Sequence, residues 1–243
     1  MIKAVIFDID NTLYDFSTTT KLGAEAFARY CNVHFGMSID EAERGWKEAY
    51  DAVMDRMGME NPAYHNRLVR SQYFLEKRGL PVFPHAMELA MTYWNTLIRN
   101  MKVEEGLVEL LEALKNKGIK IGIGTNMTAF VQFEKIRALG ISQYVDCMVT
   151  SEEAAAEKPT KPFFDYALGK LGISCDECVF IGDDAKNDMQ GAKGAGMIPV
   201  WYTPHAGEAD RRLIEELKVT DRIDNYRECI LSDGGIRLGS VRI

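Results

Sequence analysis

The sequence predicts an α/β fold: a parallel sheet covered by helices on both faces, carrying an inserted all-helical domain. Three observations lead there. The chain opens on Ala4-Val-Ile-Phe7, apolar at every position, as a strand buried on both faces must be. From about position 17 to 102 it turns rich in Ala, Met, Glu, Arg and aromatics, with helical spacing and few β-branched runs. Past Glu105, strand-like and helix-like segments alternate, which is the pattern of a parallel sheet with crossover helices.

The elements follow in order. Within the insertion, Ser38 and Glu41 have the spacing of a capping box and start a helix. Breaks at 58–62 and 79–84 divide the stretch into four or five helices that form their own bundle. Leu107, Leu110, Leu111 and Leu114 recur at helical spacing, and Gly118 closes that helix. Ile119, Ile121 and Ile123 alternate as a strand that ends at Gly124-Thr125-Asn126. A helix carrying Phe130, Phe133 and Ile136 stops before Gly140, and a strand follows at 145–149. Helix 163–171, strand 178–181, a helix running to Ala195 and strand 198–201 complete the alternation. The first strand belongs with this half. The expected domains are therefore 1–16 with 103–243 as the α/β core, and 17–102 as the helical insertion. Residues 232–243 hold a Gly-Gly pair and little pattern, and no element is assigned to them.

Composition narrows the function classes. A chain of 243 residues buries roughly three quarters of its unfolded surface and needs no disulfide or metal staple. The net charge is -7 with no block of like charge, which argues against a nucleic-acid surface. A small phosphorylated substrate needs only a few local cations and stays open. Five scattered cysteines do not make a secreted disulfide scaffold. Cys175 and Cys178 have C-x-x-C spacing but lack the second pair that structural zinc requires, and are expected to be structural. Neither a signal peptide nor a membrane-spanning stretch is evident, so a cytoplasmic protein is expected.

Four polar clusters fall at the carboxyl ends of predicted strands, where open α/β sheets place their ligands. They are Asp8-Ile-Asp10-Asn-Thr12, Thr125-Asn126, Lys158-Pro159, and Gly182-Asp183-Asp184 with Asp188. Singly, each reads as a turn, a helix cap or a solvated face. Together and in this order they resemble the haloacid dehalogenase-like (HAD) hydrolase superfamily over nearly the whole chain. Motif one is Asp8-Ile-Asp-Asn-Thr-Leu-Tyr14, and motif two is Thr125. Motif three is Lys158 in Glu-Lys-Pro-Thr-Lys-Pro-Phe-Phe164. Motif four is Phe180-Ile-Gly-Asp-Asp-Ala-Lys-Asn-Asp188.

The resemblance implies a Rossmann-like core and a phosphatase that works through an aspartyl-phosphate. An ionised carboxylate at Asp8 attacks phosphorus without needing a base. Asp10, two residues on, protonates the leaving oxygen and then deprotonates the hydrolytic water. Clustered carboxylates call for a hard cation, and oxygens of Asp8, the Asp10 carbonyl and Asp183 suit Mg2+. Thr125, Asn126 and Lys158 bind the phosphate and neutralise its charge. Of Asp184 and Asp188, one orients Lys158 or completes the metal's outer shell and the other caps a helix. Asp10 also chooses the branch. Dehalogenase relatives typically carry an aromatic residue there and phosphonate-cleaving ones a small residue, so Asp10 favours phosphate monoesters.

Positions 8 and 125 are 117 apart, whereas 125 and 158 are 33 apart. The insertion between motifs one and two then implies a helical cap of the first type, which excludes water and recognises substrate. Phe16, Tyr64, His65 and Arg67 are candidate cap contacts, while His34, His85 and His205 show no partner in the sequence. The expected partner is a small phosphorylated metabolite (nucleotide, sugar or other organic phosphate), without nucleic acid or membrane, and the oligomeric state is left open. Two competing readings are a sugar-phosphate mutase using the same motifs and a non-catalytic binder of phosphorylated ligands.

Overall fold

β1 (Ala4–Phe7) is fully buried in the computed structural model, which describes residues 1–58 and 61–243. The chain packs into two units, residues 1–15 with 102–243 and residues 16–101. The first helix begins at Phe16, where the second unit starts.

The helical unit holds α1 (Phe16–Phe35), α2 (Ile39–Met57), α3 (Arg67–Lys77) and α4 (His85–Asn100). The Ser38 side chain accepts from Glu41 N at 3.3 Å and starts α2. The expected break at 58–62 includes Met59 and Glu60, which lie outside the described residues. Two asparagines organise the chain that follows. Asn61 caps a short turn at Pro62–His65 by accepting from Ala63 N, and Asn66 caps α3 by accepting from Leu68 N. Phe27 anchors the bundle core, with its ring 4.3 Å from that of Trp46 and 5.0 Å from that of Phe74. Burying such a ring contributes about 1.5–3 kcal/mol. His85 meets Tyr30 OH at 2.7 Å across 55 positions, and His34 stacks on Tyr30 one turn before it in α1, so both have partners.

The α/β unit continues with α5 (Leu107–Asn116), β2 (Lys120–Thr125), α6 (Ala129–Ala138), β3 (Cys147–Thr150) and α7 (Ser151–Ala154). Then come α8 (Lys161–Leu171), β4 (Cys178–Gly182), a π-helical turn at Ala185–Gln190 and α9 (Gly191–Gly194). β5 (Ile198–Tyr202), α10 (Glu208–Leu217) and β6 (Arg222–Ile223) complete the sheet layer. All six strands are parallel, in the order β3-β2-β1-β4-β5-β6. Phe7 pairs with both Ile123 and Ile181, so Asp8, Thr125 and Asp183 all follow within two residues of one level of the sheet. The strand order reverses between β1 and β4, which opens a crevice at their carboxyl ends. Gly106, at φ +82°, tolerates no side chain, since a Cβ there would lie 2.4 Å from Arg227 N.

Three expectations change. α6 forms where the sequence places it, but Phe130 and Phe133 are 78% and 61% exposed, and its buried face is Val131, Gln132, Lys135 and Ile136. Residues 232–243 form a hairpin of β7 (Arg237–Leu238) and β8 (Val241–Arg242), whose two-residue strands are too short to show alternation. His205 is paired, its Nε2 lying 2.9 Å from Glu104 Oε1. All five cysteines are free thiols.

Candidate active site

Asp8 leaves β1 while its main-chain N–H still donates to Ile181 O of β4, so it sits at the mouth of the crevice. The chain then turns sharply. Thr12 N and Leu13 N both return to Ile9 O, and Asn11 adopts φ +58°, a left-handed conformation that Asn tolerates. Lys158 arrives after α7, held by a reciprocal pair: its N–H donates to Asn126 Oδ1 at 2.8 Å, and Asn126 Nδ2 donates back to its carbonyl at 3.0 Å. The motif after β2 thus fixes the motif after β3. Asn126 acts here through its side-chain amide.

The Lys158 ammonium is buried and places its three protons on Asp8 Oδ1 at 2.6 Å, Asp188 Oδ1 at 2.6 Å and Gly124 O at 3.0 Å. Asp188 Oδ2 in turn accepts from Asp184 N at 3.1 Å. The Asp184 carboxylate accepts from Lys186 N and Asn187 N, capping the π-helical turn. The two aspartates that the sequence left as alternatives therefore divide: Asp188 holds Lys158 and Asp184 caps. Gly182 makes this possible, because a Cβ there would lie 2.3 Å from Asp188 Oδ2. Asp183 is half-buried, and its carbonyl accepts from Trp201 Nε1 at 2.8 Å.

Thr125 and Asp10 have partners from α6 that the sequence reading missed. Gln132 Nε2 donates to Thr125 Oγ1 at 2.7 Å, leaving the hydroxyl proton available to a ligand. Lys135, 0% exposed, places Nζ 2.6 and 2.9 Å from the two Asp10 oxygens, and Tyr14 OH donates to Oδ1 at 2.7 Å. One signal existed in the sequence: two long polar residues at i and i+3 in the helix that follows Thr125-Asn126, beside phenylalanines that turn out exposed.

Asp8, Asp10, Thr125, Asn126, Lys158, Asp183, Asp184 and Asp188 line one cavity of about 170 Å3, together with Asn11 and Asn187. Its electrostatics are strained by like charge. Burial lifts the Asp8 carboxyl above its ordinary range; Lys158 opposes this and Asp10 adds to it. Burial, then Asp188, Asp8 and Asp184, push Asp183 well up. Asp188 is pushed up to about 7, chiefly by burial, with Lys158 opposing. Burial works against the Lys158 charge, but Asp188 and Asp8 outweigh it and raise its pKa. Carboxylate oxygens of Asp8, Asp183 and Asp188 lie within 4.8 Å of one another. An all-oxygen, net-negative donor set of this kind fits a hard divalent cation.

These motifs and this sheet place the chain in the haloacid dehalogenase-like hydrolase family, whose model matches residues 2–196, and within its phosphatase branch. It is 31% identical over 236 residues to a ribulose-1,5-bisphosphate 5-phosphatase of Halopiger xanaduensis, covering 94% of this chain and 98% of that one. It is also 31% identical over 235 residues to a glyceraldehyde 3-phosphate phosphatase of Methanothermobacter thermautotrophicus, covering 95% and 100%. Among solved structures, a 2-haloacid dehalogenase of Pseudomonas syringae pv. Tomato superposes with a TM-score of 0.71 at 25% identity, covering 94% and 96%. A dehalogenase and a phosphatase can thus share this frame, and side chains choose the reaction. No helix among the described residues is long and apolar enough to cross a membrane.

Proposed function

We propose that the chain is a Mg2+-dependent phosphatase of small sugar phosphates, working through a phosphoryl group carried on Asp8. The observation that carries this reading is the buried Asp8–Lys158–Asp188 chain, with Asp183 beside it at the switch point of the sheet. An Asp8 oxygen attacks phosphorus, the P–O bond to the sugar breaks, and Asp10 gives the leaving oxygen its proton. Water then attacks the acyl phosphate. Its proton passes to Asp10, inorganic phosphate leaves, and the Asp8 carboxylate is restored.

Lys158 and the Thr125 hydroxyl face the charge that builds on the equatorial oxygens. Lys135 and Tyr14 hydrogen-bond the Asp10 carboxyl and would orient it, and the proton it gives to the leaving oxygen in the first step is regained from water in the second. Asp8, Asp183 and the Asp10 carbonyl are the proposed cation ligands, while the Asp188 oxygens are engaged by Lys158 and Asp184 N. The cation would supply positive charge beside the phosphate oxygens and relieve the repulsion among the carboxylates. The helical unit would serve as the cap. The sugar assignment draws on the substrates that name the two curated relatives.

The test is release of inorganic phosphate from a panel of sugar phosphates by the purified chain. At least about tenfold more release with Mg2+ than with chelator is expected. Absence of release, or transfer of the phosphate to another sugar hydroxyl, would sink hydrolysis.

The carboxylates also predict a pH-dependent response to the metal. Asp183 and Asp188 are raised above the unfolded carboxylate value, so in metal-free protein they contribute stability at low pH. That contribution is lost as pH rises through about 7, the range of Asp188. A divalent cation held by Asp8 and Asp183 would then offset the charge that the protons had removed. Scanning fluorimetry should show a larger Mg2+-induced rise in Tm at about pH 8 than at about pH 5, by several degrees. Equal rises would remove the carboxylates as the cation site.

A further inference from the structure

α6 brings a residue to the candidate active site that no strand end supplies. Gln132 lies on its buried face and is 0% exposed, and Thr125, the last residue of β2, is 1% exposed. Gln132 Nε2 lies 2.7 Å from Thr125 Oγ1, and among the described residues this is the one hydrogen bond that the Gln132 side chain makes. Its Oε1 is buried without a donor. Turned over, the amide would leave both of its N–H protons unpaired, and a buried N–H without an acceptor is the rarer arrangement. The start of the helix is tied down on the same side of the sheet. Met127 N donates to Ser151 Oγ at 3.0 Å, and Ala129 N donates to Glu152 Oε2 at 2.7 Å. Gln132 is thus carried on a fixed support.

A buried glutamine with half of its amide unpaired is a poor choice for packing alone. An apolar side chain of similar length would avoid the cost of burying that oxygen. What the amide does supply is direction. A threonine hydroxyl has one proton and two lone pairs, and it rotates to suit the neighbour it meets. A donor at 2.7 Å occupies a lone pair, so the Thr125 proton turns away from α6. Thr125 lines the same cavity as Asp8 and Lys158. A hydroxyl without that donor presents its lone pairs to a phosphate oxygen as readily as its proton, and lone pairs repel it.

We propose that Gln132 is a positioning residue that holds the Thr125 hydroxyl as a hydrogen-bond donor toward the transferring phosphoryl group. This rests on the phosphatase reading and adds a residue to it, 124 positions from Asp8, that acts only through Thr125.

The test is a double-mutant cycle on the full chain, read by phosphate release with Mg2+. Calorimetric titration with orthovanadate, which mimics the five-coordinate phosphorus of the transition state, is read alongside it. Gln132→Met is similar in length and cannot donate. It should lower kcat about tenfold and leave KM within about twofold, because charge on the equatorial oxygens grows in the transition state. Orthovanadate should bind about tenfold more weakly to it, in step with kcat. T125V should lose about 10²-fold in kcat, the scale of one missing donor. No hydroxyl then remains to be directed, so adding Q132M to T125V should change kcat by less than about twofold. T125S keeps the hydroxyl, and adding Q132M to it should bring the tenfold loss back. The Tm of Q132M should equal or exceed that of wild type.

An equal loss from Q132M with and without the hydroxyl, or a lower Tm with kcat kept, would make Gln132 a packing residue. Either result overturns the proposal, and phosphate release by wild type leaves the phosphatase reading in place. Orthovanadate binding that weakens through the same cycle, with no phosphate released from any sugar phosphate, would overturn the phosphatase reading and keep Gln132 in its role. A wild type that neither binds orthovanadate nor releases phosphate overturns both.

Discussion

Asp8→Asn should reduce kcat by at least about 10⁴-fold, since loss of a covalent nucleophile removes the pathway itself. The substitution is nearly isosteric. Asn keeps an oxygen within reach of the Lys158 ammonium, which retains Asp188 and Gly124 O as its other acceptors. It also removes one of the charges that push Asp183 and Asp188 upward. Metal-free Asp8→Asn should therefore melt no lower than metal-free wild type at neutral pH. Loss of activity with stability preserved separates the chemical role from a folding role. The readouts are phosphate release, unfolding by denaturant, and intact mass after an acid quench during turnover. A phosphorylated species in wild type and none in the variant is expected. A variant retaining more than about 1% of wild-type kcat would remove Asp8 as nucleophile.

Lys158→Met should lower kcat/KM by about 10³-fold, the scale set by losing a cation that stabilises a transferring phosphoryl group. Here the fold suffers too. In wild type, Asp188 and Asp8 raise Lys158 above its ordinary value despite burial. Its stabilisation is therefore present at neutral pH, where its partners are ionised, and on the alkaline side is lost only in strong alkali. Methionine fills the volume but leaves two buried carboxylates without their cation, a loss of about 3–5 kcal/mol at neutral pH. Both carboxyls are already raised by burial, so in the variant they would take up protons more readily. Stability should recover as pH falls from about 8 to about 5, while activity should not. Denaturant unfolding at the two pH values checks this. A pH-independent loss would mean that Lys158 holds the site by packing and not by charge.

The residues on which both predictions turn were legible because a parallel sheet converts sequence order into position. An apolar run that stops at an acidic residue must end at the sheet edge, and level register then brings Asp8, Thr125 and Asp183 to one edge. The same local logic covers Ser38 as a helix cap. It fails wherever the rotation of a helix about its own axis decides what is buried. Phe130 and Phe133 suggest the inward face of α6, yet Gln132 and Lys135 point inward because Thr125 and Asp10 offer them partners. Arg70, buried against the rings of Trp46 and Tyr50, is illegible for the same reason, since an arginine on an amphipathic helix ordinarily lies in solvent.

The sequence by itself determined the sheet, the family and the identity of the groups at the strand ends, because these depend on apolar runs and on chemistry adjacent in the chain. Tertiary structure decided which of Asp184 and Asp188 holds Lys158. It did so through Gly182, whose missing side chain leaves room for Asp188 to turn inward while Asp184 meets the free N–H groups of the next turn. It also tied Asp10 to Lys135, 125 positions away. Contacts of that separation follow from packing the whole unit, and no local pattern encodes them.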